Sequence, residues 1–104
     1  MTVKVLYNAS YGGFVISEQL INLIHSRYGI HVESPFNIPF DRHDVRLISL
    51  VEEIGLENAS GSVCRSKTTL KLYELEEGTT RYYIDEYDGL ETVMTVDNIK
   101  WVYI

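Results

Sequence analysis

After a short first strand the apolar residues of this chain turn helical, and beyond the second helix the period changes back. The runs within 20–28 and 45–54 recur at helical spacing, and from Lys67 onward the apolar residues alternate. A chain ordered in this way has to lay helical stripes on a sheet, since each can bury its apolar face only against the other. Ser17 stands where a helix cap belongs, ahead of Leu20, Ile21, Leu23, Ile24 and Tyr28, and Gly29 stops the pattern. A second helix is expected over 44–54. Asp41 or Asp44 lies at its positive end, Val45, Leu47, Ile48, Leu50, Val51 and Ile54 form a wide apolar face, and Gly55 ends it. Between the two helices, Pro35 and Pro39 keep residues 30–40 extended.

Strands are expected at 3–7, 68–75, 80–87, 91–96 and 100–104, with a polar loop over 57–66. Glu76-Glu77-Gly78 reads as a short hairpin loop that makes 80–87 the partner of 68–75. Asp88-Gly89, set between two alternating runs, fits the two positive φ values of a type I′ turn. Asp97-Asn98 turns the chain into a last run, Lys100-Trp101-Val102-Tyr103-Ile104. The expected fold is α+β: a single domain over 1–104, with one antiparallel-rich sheet of about five strands and two helices packed on one face.

Charge and cysteine usage remove several function classes. With 9 Lys and Arg against 15 Asp and Glu, the formal charge is −6. A surface that tracks a phosphate backbone needs clustered cations, so no nucleic acid polymer is expected as a partner. Cys64 is alone, which excludes an internal disulfide and a multi-cysteine zinc site, and the three histidines lack H-x-x-x-H spacing. No cofactor and no metal are expected. No apolar run approaches the roughly 20 residues that span a bilayer. Met1 to Tyr7 lacks the design of a signal peptide, so a cytoplasmic location away from membranes is expected. The 8 tyrosines, with Trp101, exceed what a small core needs and suit an interface or a stacked ligand, which points to a homodimer or higher homo-oligomer.

Three local constellations carry chemistry, each with a plainer reading beside it. Tyr11-Gly12-Gly13-Phe14 lies between a strand and a helix, where backbone N–H groups can converge on a phosphate and rings can face a base. The plainer reading is a tight turn with Phe14 in the core. Arg42-His43-Asp44 presents a guanidinium and an imidazole beside a helix start, or else forms a cap with an internal Arg–Asp pair. Asp85-Glu86-Tyr87-Asp88 with Glu91 gathers carboxylates, but alternation sends Asp85 and Glu86 to opposite faces and the spacing of a calcium loop is missing. Ser10, Ser17 and Cys64 lack any local arrangement of nucleophile and base, so no catalytic residue is nominated.

Taken together, Tyr7-Asn8-Ala9-Ser10-Tyr11-Gly12-Gly13-Phe14, Arg42-His43-Asp44, the helix end Val51-Glu52-Glu53-Ile54-Gly55 and Ile84-Asp85-Glu86-Tyr87-Asp88-Gly89-Leu90-Glu91 resemble a group of short proteins of tailed phages and large DNA viruses. In that group a YN-x-x-YGGF opening, an R-x-D helix start and a closing EYDG-x-E segment recur. Proline often follows R-x-D there, where this chain has Val45. The resemblance implies a viral anti-defence protein in the cytoplasm of an infected cell. It would bind and sequester a nucleotide immune signal, a cyclic ADP-ribose derivative or cyclic oligonucleotide, without cleaving it. The ligand-binding residues would then be Asn8, Tyr11, Gly12, Gly13, Phe14, Arg42, His43, Arg65, Asp85 and Glu86, in an enclosed pocket. The alternative is a small protein–protein interaction module or inhibitor of a host enzyme, docking through its acidic face or its C-terminal tyrosines.

Overall fold

The computed structural model describes residues 3–63 and 66–95. The element order is β1 (Lys4–Asn8), α1 (Glu18–Tyr28), α2 (Val45–Ile54), α3 (Leu56–Ala59), β2 (Ser62–Val63), β3 (Ser66–Lys67), β4 (Leu70–Glu74), β5 (Tyr83–Tyr87) and β6 (Leu90–Met94). Cys64, Arg65 and the expected final strand with Trp101 and Tyr103 lie outside the described residues.

Both long helices start and stop where their side chains dictate. The Ser17 hydroxyl accepts from Leu20 N–H, and Gly29 closes α1 in the left-handed region at φ 66°. The Asp44 carboxylate accepts from Arg46 N–H to cap α2. Gly55, at φ 88°, ends α2 and at once begins α3, a helical turn within the stretch expected to be a loop. Leu20, Ile24, Leu47, Leu50 and Val51 pack with Leu6 and Leu70 into the main core, so the helices do cover one face of the β1–β4 ladder. Val5 points the other way and joins Leu75 and Val93 in a second cluster, flanked by Tyr7, Tyr73, Tyr82 and Ile84.

The single five-stranded sheet is not formed. Among the described residues the strands make two five-residue antiparallel ladders, β1–β4 and β5–β6, and a third of two residues, β2–β3. β4 pairs with β1, Lys4 opposite Glu74 through Asn8 opposite Leu70, and not with 80–87 as the Glu76-Glu77-Gly78 loop suggested. Residues 75–82 are instead a longer connection to β5. The Asp88-Gly89 turn does form, with φ of 51° and 86° at its two residues. The sheet is interrupted because the second edge of β1 is already occupied. Leu6 N–H donates to the Arg42 carbonyl at 2.9 Å, and Asn8 N–H donates to the Glu91 carboxylate at 2.8 Å. A side chain of β6 thus stands where a backbone ladder to β6 would have run.

Candidate functional site

The motif residues converge on one buried ion pair. Arg42, on the connector ahead of α2, forms a two-pronged contact with Glu91 of β6, Nη1 to Oε1 at 2.8 Å and Nη2 to Oε2 at 2.9 Å. Its Nη1 also donates to the Leu6 carbonyl at 3.2 Å, and its guanidinium lies 3.7 Å from the centre of the Phe14 ring. Glu91 is 7% exposed and Arg42 22%. So both partners are largely withdrawn from water, and the pairing, the hydrogen bonds and the aromatic face together compensate their desolvation.

Asn8 organises the neighbouring loop. Fully buried, its Nδ2 donates to the carbonyls of Ser10 at 2.7 Å and Gly89 at 2.6 Å, while its Oδ1 accepts from the Ser10 N–H and hydroxyl. Gly12 N–H donates to the Asp88 carbonyl at 3.3 Å. At Gly89 the two loops touch backbone to backbone: a Cβ there would lie 2.3 Å from Gly13 N and 2.7 Å from Gly12 N. The glycine of the last motif's turn therefore makes room for the Gly12-Gly13 backbone of the first.

Five of the residues expected to bind a ligand, Asn8, Gly12, Gly13, Phe14 and Arg42, are thus brought together, around Glu91 and Gly89. Tyr11 beside them is 65% exposed. His43 turns to Tyr82, sharing a hydrogen bond of 2.6 Å from Nδ1 to the phenol oxygen with the rings edge to face. Burial first, and then the Asp41 charge, push the Tyr82 hydroxyl above its ordinary 10.0. Asp44 is the helix cap, and its ionic partner is Arg46, not Arg42. Asp85 and Glu86 are exposed on the hairpin, and Arg65 lies outside the described residues.

Sequence reasoning left Glu91 out of the site, although its signal was present. Counting forward from the Asp88-Gly89 turn puts Glu91 on the same face as Val93, which is the buried face, and a carboxylate there needs a cation. No buried side-chain nitrogen or oxygen among the described residues lacks a partner. The buried side chains of the cluster thus satisfy one another and the neighbouring backbone.

The open space lies elsewhere. A shallow groove of about 780 Å³ is lined by Val3, Lys4, His43, Val45, Ile48, Ser49 and Glu52. It is continued by one of about 510 Å³ through Val3, His43, Leu75 and Thr79 to Tyr82, and by a third of about 280 Å³ along Glu76 to Arg81. Of the nine expected ligand-binding residues that are described, His43 alone lines any of these three. Among the described residues no group of three His, Cys, Asp or Glu side chains is placed to hold a metal ion, and no helix is long and apolar enough to cross a membrane.

A further exposed feature is the outward face of the β5–β6 hairpin. Alternation places Tyr83, Asp85 and Tyr87 together there, with Met94, Thr92 and Leu90 opposite them. Tyr83 is 53% exposed and Tyr87 76%. No lysine or arginine occurs between Tyr83 and Met94. No family model, curated protein or solved structure shows significant similarity to this chain.

Proposed function

We propose that the protein is a binding module for another protein, which it grips through the outward face of the β5–β6 hairpin. One observation carries this reading: two exposed tyrosines flank an exposed carboxylate on one strand face, Tyr83, Asp85 and Tyr87, with Glu86 and Asp88 adjoining. Four residues of strand separate the rings by about 13 Å, the reach of a short extended segment. Rings and carboxylates in that order favour a cationic segment, whose guanidinium or ammonium groups can lie over the tyrosines and pair with the acids. Of the two arginines that a phosphate-binding reading offers, Arg42 is engaged with Glu91, and Arg65 lies outside the described residues. Enclosure of a nucleotide also has less support than surface docking, because the grooves are shallow and open.

Fluorescence anisotropy with a short peptide alternating arginine and threonine tests the reading, in parallel with thermal shift against cyclic nucleotides, cyclic ADP-ribose isomers, NAD and ATP. The expected result is peptide binding that weakens with salt and falls about tenfold when Tyr83 and Tyr87 are both replaced by alanine. A melting temperature raised by a nucleotide, with no peptide binding, overturns it in favour of the signal-sequestering alternative.

A further inference from the structure

Among the described residues β5 is paired on one side only. In a hairpin closed by a two-residue turn, the residues flanking the turn exchange hydrogen bonds, and the bonding alternates from there. Tyr87, Asp85 and Tyr83 therefore direct their N–H and C=O groups to β6. Ile84 and Glu86 direct theirs outward, and neither has a backbone partner within the described chain. An unpaired edge of this length is a template for another strand.

Charge decides what kind of strand. A second copy pairing antiparallel through the same edge brings Asp85, Glu86 and Asp88 of both copies along one seam in the two registers that overlap the acidic run most fully. Centring on Asp85 sets Asp85 against its own copy, and centring on Glu86 does the same for Glu86. Like charges directly opposite destabilise a ladder, so the edge is protected against self-pairing. A basic strand meets the reverse situation. Its alternate side chains reach the Tyr83-Asp85-Tyr87 face on one side of the sheet and the exposed Glu86 on the other.

We infer that β5 takes its partner by strand addition: an extended basic segment bonds to the outward N–H and C=O groups of Ile84 and Glu86 and becomes the third strand of the hairpin sheet. This rests on the binding reading above and adds the backbone mode and the register. The test compares the arginine–threonine peptide with the same peptide N-methylated throughout, which keeps every side chain and removes the donors. Hydrogen exchange at Ile84 and Glu86 is followed in parallel. The expected result is at least about tenfold weaker binding of the methylated peptide, with Ile84 and Glu86 amides slowed by the parent peptide alone. Glu86→Pro, tolerated where an edge N–H faces solvent, is expected to weaken binding about tenfold beyond Glu86→Ala. Equal binding of both peptides without slowed exchange overturns strand addition and leaves the binding module standing. No binding of either peptide removes both. Protection of Ile84 and Glu86 in a dimer of the protein alone assigns the edge to a second copy and overturns the basic partner.

Discussion

Arg42 and Glu91 are each other's main compensation for leaving water, so removing either leaves the other charge buried and unpaired. Arg42→Ala and Glu91→Ala are each expected to lower stability by roughly 3 kcal/mol in urea unfolding, and the double variant by clearly less than the sum. Arg42→Lys is expected to behave more like the alanine variant than like the parent, because an ammonium cannot span both Glu91 oxygens and lie flat on Phe14 as well. The glycines offer a second comparison. Gly12 sits at φ 103° with open space around it, so Gly12→Ala is expected to cost about 1–2 kcal/mol from backbone strain alone. Gly89 combines a positive φ with the backbone of Gly12 and Gly13 inside contact distance, so Gly89→Ala is expected to cost at least about 1 kcal/mol more. Equal loss of denaturation midpoint in the two variants contradicts the packing of the two loops. Gly12-Gly13 and Asp88-Gly89 were both legible as turns. That Gly89 is there partly to admit the Gly12-Gly13 backbone was not, since residues so far apart in the chain carry no local mark of contact.

The helices illustrate how far local chemistry reaches. Ser17, Gly29, Asp44 and Gly55 bound α1 and α2 as their side chains and backbone preferences require, and the apolar periodicity of each helix is complete within its own segment. Asp44→Ala is expected to cost about 1 kcal/mol through loss of the cap. The hydrogen bond from the Arg46 side chain holds the Asp44 carboxyl below its ordinary 3.8. The folded state therefore binds this proton less readily than the unfolded chain. The stabilisation is present above about pH 4 and is lost as pH falls through the depressed value. Denaturation of parent and Asp44→Ala between about pH 5 and pH 2 is expected to show their difference shrinking towards the acid end. Strand pairing obeys no such local rule. The run 70–74 alternates correctly, yet its partner is β1, more than sixty residues earlier, and not the run that follows Gly78. A glycine in a plausible loop shows that the chain can turn there, and it does not show that the two flanks pair.

On the scale of the whole molecule, the charge balance and the distribution of exposed groups bear on the same question. The hairpin concentrates carboxylates and bare tyrosines at one side, while the arginine nearest the glycine loops is withdrawn into the interior. Nucleotides at millimolar concentration are expected to leave the melting temperature unchanged, and a rise of several degrees with any one of them contradicts this arrangement. By itself the amino-acid sequence determined the α+β class, the bounds of both long helices, the Asp88-Gly89 turn and the residues with chemistry to offer. All of these follow from interactions within a few positions along the chain. Only the tertiary structure decided that, among the described residues, the strands form separate ladders, Arg42 meets Glu91, and one edge of β5 has no partner strand. The physical reason is the second edge of β1: its outward N–H groups are satisfied by the Arg42 carbonyl and the Glu91 carboxylate. Which group of a distant segment satisfies a buried donor is settled by packing in three dimensions, and no period or spacing along the chain encodes it.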